Sequence, residues 1–479
     1  MKRSSSSITV FAAFVSLLAA NFLVSPVGST IAHADAKQFY YQRYTENRFN
    51  ELTTHEAVVA KTVDARINYN DANDKRTFKQ RYYVDSTFAT GPNAPVLFHI
   101  CGEATCTGRE IGGATLEWAK KLGAHRVALE HRYYGKSQPF AKLSSENMKF
   151  LTTEFALMDL AAFHDFAAKT LSFKGKWIVL GGSYPGSLAA YARLKFPNLF
   201  VGALASSGPV QAKANFEEYD LTVARVAGPE CAAAMKKVVK QVEDSLTDDK
   251  RLLQIKKTFK SEEVKDPVDF LYVIADMGAI AIQYGARDKF CSALLSSGDT
   301  LTNYAQVGLQ LFTAFGITPL QDSFQGAESE NPDDYFLSFG MRQWLYQSCT
   351  EYGYWQNAYH DPEITVRSTK INPAYHDSVC KRMFGVDHGV DTSKINKNYY
   401  EPLLDPSTSQ ILFTNGSNDP WANLSITKEL RNNTNPNTVA FTIQGAAHAD
   451  DLGTSKATDS SSLKDARATF SDLAIGWLK

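Results

Sequence analysis

The sequence predicts an α/β fold: a parallel sheet covered by helices on both faces and interrupted by a mostly helical insertion. Three observations predict it. Short apolar runs alternate with segments whose apolar residues recur at helical spacing. One run, Trp177-Ile-Val-Leu180, leads through two glycines to Ser183 and straight into a helical pattern. After Pro209 the strand signal fades, and aromatic-rich helical patterns hold until about Tyr375. At 479 residues, 44% hydrophobic and 21% charged, the chain has room for a large domain plus a sizeable insertion. A formal net charge of -1 without a basic patch argues against a nucleic-acid partner.

Residues 1–34 read as a secretory signal peptide. Met1-Lys2-Arg3 is basic, Ile8 to Val24 is mostly apolar, and Ala32-His33-Ala34 offers a small-x-small cleavage site. An uncleaved membrane anchor is the alternative. No later run approaches the roughly 20 apolar residues that a span needs. The expected location is therefore outside the cell or in a lysosome-like compartment, with no membrane attachment after cleavage.

The first part of the domain spans 35–210. Residues 35–75 look irregular. Strands follow at Thr77–Val84, Pro95–Ile100 and Val127–Glu130, with a helix at Leu116–Leu122 between the last two. Glu154 to Leu171 carries Phe155, Leu157, Met158, Ala161, Ala162 and Phe166 on one helical face. The Trp177 strand, its helix and a strand at Val201–Ala205 complete this half. Residues 211–375 form the helical insertion, expected as a cap. The second part, 376–479, adds strands at Gln410–Thr414 and Val439–Ile443 and a closing helix at 461–479.

A strand, a sharp turn and a helix with a serine at the apex make a nucleophile elbow, the mark of the α/β-hydrolase fold. The turn lifts the serine Oγ clear of the sheet and aims a helix N-terminus at the reacting carbonyl. The strict motif has glycine two residues after the serine. Here Pro185 holds that position and Gly186 follows; proline is tolerated in a first helical turn.

A serine hydroxyl needs a base to take its proton, and the base needs a third group to orient it. In this fold the acid and then the histidine follow the serine in the chain. Asp419 comes just after the Gln410–Thr414 strand and His448 just after the Val439–Ile443 strand. Parallel strands open their C-terminal loops at one edge, so Ser183, Asp419 and His448 are the candidate triad. Asp450 and Asp451 compete as the acid, and Ser137, Ser206 and Ser207 as the nucleophile. The oxyanion donors are expected at the Tyr184 N–H and at Gly102 or Glu103. Glu103 reads as a solvated carboxylate, with contact to a substrate amine as its alternative.

Six cysteines in a secreted chain suggest disulfides, and six allow 15 pairings. Local pairing gives Cys101 with Cys106, Cys231 with Cys291, and Cys349 with Cys380. Asn423 and Asn432 are glycosylation candidates in polar, loop-like sequence. Asn415 is also a sequon, but it lies among the candidate site residues and is not expected to be modified.

Several long motifs resemble the serine peptidase family that comprises lysosomal Pro-X carboxypeptidase, dipeptidyl peptidase II and thymus-specific serine protease. They are Phe78-Lys-Gln-Arg-Tyr-Tyr83, Leu129-Glu-His-Arg-Tyr-Tyr-Gly-Lys-Ser-Gln-Pro-Phe140, Gly181-Gly-Ser-Tyr-Pro-Gly186, Cys349-Thr-Glu-Tyr-Gly353 and Asn415-Gly-Ser-Asn-Asp-Pro-Trp421. The elbow is most similar to the thymus-specific branch. The resemblance implies an α/β-hydrolase domain with a helical insertion and the same triad. It also implies cleavage of peptides near a terminus, often after proline. Ala449 stands where members like Pro-X carboxypeptidase have a second histidine, which counts against that branch. A proline pocket could draw on Trp344, Tyr346, Tyr352, Tyr354 and Trp355, although most of these read as core.

The expectation is a serine exopeptidase acting on peptides, with no metal or organic cofactor. A homodimer is left open. A secreted esterase or lipase, and a catalytically inactive relative, are the alternatives.

Overall fold

The computed structural model describes residues 58–336 and 339–479, so the predicted signal peptide at 1–34 lies outside the described residues. Eight strands form the central sheet: β1 (Lys61–Arg66), β2 (Thr77–Asp85), β3 (Val96–Ile100), β4 (His125–Leu129), β5 (Trp177–Gly182), β6 (Phe200–Ser206), β9 (Ile411–Gly416) and β10 (Val439–Ile443). Their spatial order is β1-β2-β4-β3-β5-β6-β9-β10. From β4 to β10 every neighbouring pair is parallel, while β2 runs antiparallel to both β1 and β4. This is the α/β-hydrolase fold.

All five residues of β3 are buried, because helices cover both faces of the sheet. Val96, Phe98, Trp177 and Val179 pack on one face with Phe163 of helix Thr153–Phe166 and Leu188 of helix Tyr184–Lys195. Leu97, Ile178, Leu180 and Leu204 face the other side. They meet Trp118 of helix Gly113–Leu122 and Phe470 and Trp477 of helix Ser461–Leu478.

The predicted strands from Thr77 onward are all present, with no end shifted by more than two residues. β1 departs from the expectation that 35–75 is irregular. It is an edge strand whose Lys61, Thr62 and Asp64 face solvent and whose Ala65 alone is buried. Its trace in the sequence is the faint alternation of Val63, Ala65 and Ile67.

Everything from 207 to 410 lies between β6 and β9. Most of it is helical, including Glu218–Ala227, Pro229–Glu243, Pro267–Gln283, Thr300–Phe315 and Pro373–Phe384, the last of which runs across residues 375 and 376. A short parallel pair, β7 (Lys213–Asn215) with β8 (Gly353–Trp355), is its only sheet among the described residues. Disulfides join Cys231 to Cys291 and Cys349 to Cys380 within this segment, and Cys101 to Cys106 after β3.

Candidate active site

Ser183 occupies the tip of the β5 turn with φ 64° and ψ -136°, a conformation that a non-glycine residue adopts only when its surroundings enforce it. Its N–H donates to Ser206 O at 2.9 Å, and its own carbonyl accepts from Gly186 N–H at 2.8 Å. The glycines around it allow close backbone packing. A Cβ on Gly181 would lie 2.4 Å from Pro185 O, and one on Gly186 would lie 2.8 Å from Ser206 O. The glycine that the elbow helix needs against β6 is thus Gly186, and Pro185 sits harmlessly before it.

The loops after β9 and β10 meet beside this turn. His448 Nδ1 lies 2.9 Å from Asp419 Oδ2, and both side chains are buried. The other Asp419 oxygen accepts from Trp421 N–H at 3.0 Å, which fixes the carboxylate plane. The competing acids are engaged elsewhere. Asp451 accepts from the hydroxyls of Ser206 and Thr414, and Asp450 accepts from Ala447 N–H. The competing serines also have structural partners: Ser137 donates to Glu130, Ser206 to Asp451, and Ser207 accepts from Ala449 N–H.

Ser183 and His448 line one cavity of about 620 Å³, together with Gly102, Glu103 and Tyr184. Gly102 follows β3 and lies against the elbow helix, where a Cβ would come within 2.6 Å of Pro185 Cγ. The Tyr184 side chain points away into the core, where its hydroxyl accepts from Gln347 Nε2 at 2.9 Å and lies 3.0 Å from His131 Nε2. The Glu-His-Arg-Tyr-Tyr motif therefore buttresses the elbow. Beside His131, Arg132 grips Asp159 with two nitrogens, at 2.7 and 2.8 Å.

Glu103 is not a solvated surface group. It lines the cavity, and burial pushes its carboxyl up to about 7, against the opposing charge of His448. Residues of the insertion between β6 and β9 also line the cavity. Of the five aromatics considered for a proline pocket, Trp344, Tyr354 and Trp355 reach the cavity. Tyr352 stacks behind Tyr354 with ring centres 5.1 Å apart, and Tyr346 packs edge-on to Phe384.

Sequence reasoning passed over two acidic residues of this wall, Asp276 and Asp322. It also passed over Gln283, which ends helix Pro267–Gln283 and touches both loops. Its carbonyl accepts from His448 N–H at 2.9 Å, and its Oε1 accepts from Tyr219 Oη at 2.6 Å and Trp421 Nε1 at 2.9 Å. Of the sequons, Asn415 is buried in β9 and bonded to Ile426 O. Asn423 and Asn432 are exposed, and Asn423 Nδ2 is bonded to Thr222 Oγ1 and Pro420 O. Among the described residues, no helix is long and apolar enough to cross a membrane.

Relatives with established names cover nearly all of this architecture. Probable serine protease EDA2 of Arabidopsis thaliana is 34% identical over 442 residues, covering 87% of this chain and 83% of that protein. The thymus-specific serine protease of Mus musculus is 30% identical over 440 residues, 85% of each chain. The lysosomal Pro-X carboxypeptidase of Bos taurus is 26% identical over 442 residues, again 85% of each. The family model described as serine carboxypeptidase S28 matches residues 65–470, from within β1 to within the last helix. The chain belongs to the serine carboxypeptidase S28 family and is a serine peptidase.

Proposed function

We propose that this peptidase is an exopeptidase that cleaves peptides near a terminus, with a preference for proline at the cut, in a secreted or lysosome-like compartment. Ser183 Oγ attacks the scissile carbonyl while His448 Nε2 takes its proton. Asp419 holds the imidazole with its proton on Nδ1 and stabilises the charge that forms. The oxyanion is met by the Tyr184 N–H, at the positive end of the elbow helix, and by backbone at Gly102. His448 then protonates the leaving amine, and an acyl-enzyme remains. Water, deprotonated by His448, releases the acyl group.

The observation that carries this reading is the 2.9 Å contact of His448 Nδ1 with Asp419 Oδ2, beside the cavity that Ser183 and His448 both line. Insertion residues in the cavity lining support an exopeptidase, because a walled site takes a chain end more readily than a folded loop. The aromatic wall of Trp344, Tyr354 and Trp355 suits a ring that donates no N–H. The three disulfides and the signal-like leader favour an oxidising compartment.

Two measurements test it. A fluorophosphonate probe labels the folded wild type and not Ser183→Ala. Mass spectrometry of a peptide-library digest shows products trimmed from one end and enriched in cuts after proline. Internal cuts without end preference, or turnover of short esters with no peptide cleavage, would sink the exopeptidase reading.

A further inference from the structure

Ser206 ends β6, in register with Gly182 of β5 on one side and Thr414 of β9 on the other. Its carbonyl oxygen accepts the Ser183 N–H at 2.9 Å, so its backbone holds the nucleophile turn. Its hydroxyl donates to Asp451, which also accepts from Thr414 Oγ1 at 2.7 Å. Asp451 lies on the loop that carries His448, a short way beyond it. Ser207 continues the pattern. Its N–H donates to Thr414 O at 2.7 Å, and its Oγ accepts at 2.8 Å from the N–H of Ala449, the residue directly after His448. One dipeptide thus grips the serine turn with its backbone and the histidine loop with its side chains.

The backbone around these grips is held in costly shapes. Ser183, Ser207 and Ala449 have φ of 64°, 48° and 53°, a region that non-glycine residues seldom occupy. Such conformations persist only where the surroundings over-determine them. Here all three converge on one hydrogen-bonded cluster. Ser206, Ser207, Thr414 and Asp451 are each at most 2% exposed, so solvent does not readily replace a lost partner. Burial raises the Asp451 carboxyl, and the two hydroxyls oppose that by bonding its charged form. The histidine loop also packs on the residue before the nucleophile. A Cβ on Gly182 would lie 2.6 Å from Leu452 Cδ1 and 3.2 Å from Ala449 Cβ.

We propose that Ser206, Ser207 and Asp451 are positioning residues that set the distance and angle between Ser183 Oγ and the His448 imidazole. This rests on the triad reading above and adds how its two halves, carried by different strands, are kept in register. Asp419 fixes the imidazole plane from one side. The cluster fixes the loop that bears the ring against the turn that bears the nucleophile. Proton transfer to a general base needs a separation of about 2.6–3.2 Å. A misplacement of about 1 Å costs on the order of 100-fold in rate. Serine suits both positions because a hydroxyl donates as well as accepts: Ser206 donates to a carboxylate, and Ser207 accepts from an amide. Asp451 acts through these bonds and not as the catalytic acid, since hydroxyls take both its oxygens.

The experiment follows fluorophosphonate labelling of Ser183 in the whole mature enzyme and reads the rate constant and the final labelled fraction separately. A variant that is merely less stable loses labelled fraction, whereas a misaligned one labels fully but slowly. Ser207→Ala and Asp451→Ala are expected to reach the wild-type endpoint with a rate constant about 10- to 100-fold lower. For a peptide that the wild type cleaves, kcat should fall by the same factor with KM within about threefold, because the cavity lining is untouched. Asp451→Asn keeps an oxygen for Ser206 and offers an amide N–H to Thr414 Oγ1, so it should recover to within about threefold of wild type. A catalytic acid replaced by asparagine would instead lose about 10⁴-fold. If the alanine variants do not fold, Thr414→Val removes one hydroxyl, keeps the branched shape and should label about 3- to 10-fold more slowly. Wild-type rate constants in the folded variants would overturn the proposal. So would a loss of about 10⁴-fold in Asp451→Asn, which would make Asp451 the acid. If folded wild-type protein takes no label, the serine mechanism itself fails and this inference falls with it. Normal wild-type labelling with unaffected variants refutes the inference alone.

Discussion

The backbone N–H of His448 donates to the carbonyl oxygen of Gln283 at 2.9 Å, so the helical insertion holds the loop that carries the candidate base. The same glutamine accepts Trp421 Nε1–H two residues beyond Asp419. Insertion and sheet are therefore joined at the site itself.

Gln283→Ala leaves two buried donors, Tyr219 Oη–H and Trp421 Nε1–H, without their acceptor. Each unsatisfied group costs about 1–3 kcal/mol. The variant should unfold at a lower denaturant concentration and turn over peptide more slowly. An unchanged midpoint would show that water or a neighbour replaces the glutamine at no cost.

Asp419→Asn keeps the acceptor for Trp421 N–H but presents an NH2 to His448 Nδ1. The imidazole must then carry its proton on Nε2, where it cannot accept one from Ser183. Turnover should fall about 10⁴-fold with little change in the unfolding midpoint. Activity within about tenfold of wild type would remove Asp419 from the mechanism.

Glu103 gives the protein a pH-dependent stability term. Its carboxyl stands near 7 instead of 4.5. The folded state thus binds the proton more tightly, and stability falls as pH rises. The contribution is full below about 4.5 and is lost as pH rises through about 7, with a magnitude on the order of 2–3 kcal/mol. Glu103→Gln removes this term, so the variant should match wild type near pH 4.5 and exceed it at pH 8. Buried His99 and His131, held at about 4, pull the opposite way below pH 6.5, so the comparison with the variant isolates Glu103. Parallel stability curves would show that Glu103 does not titrate in this window.

Gly186→Ala places a methyl group 2.8 Å from Ser206 O and 3.2 Å from Gly208 Cα, against backbone that has little freedom to move. The expected cost is about 1–3 kcal/mol, with slower fluorophosphonate labelling because the first turn of the elbow helix is displaced. Wild-type labelling and stability would mean that the helix can slide away from β6 without moving Ser183.

The sheet and the meeting of Asp419 with His448 were legible because each signal is local. Val96–Ile100 and Trp177–Leu180 are buried on both faces and read as unbroken apolar runs. Asp419 and His448 each follow a strand end, and parallel strands open their loops on one side. β1 was not legible, since an exposed edge strand needs only one buried residue and resembles a loop. Glu103 was misjudged because exposure depends on what covers a residue, and here that cover comes from the distant insertion. Asp276 and Asp322 are 46 positions apart, 322 less 276, on separate helices, and periodicity does not reveal which walls share a cavity.

The insertion between β6 and β9 also divides the proposed machinery in time. Ser183 leaves the ribosome with the first half of the sheet, whereas Asp419 and His448 emerge only after the whole intervening segment has been made. Until β10 has docked beside β9, the serine has neither base nor acid. On the proposed triad a nascent chain is therefore harmless to itself and to its neighbours, and proteolytic power arrives only once nearly the full polypeptide has been made.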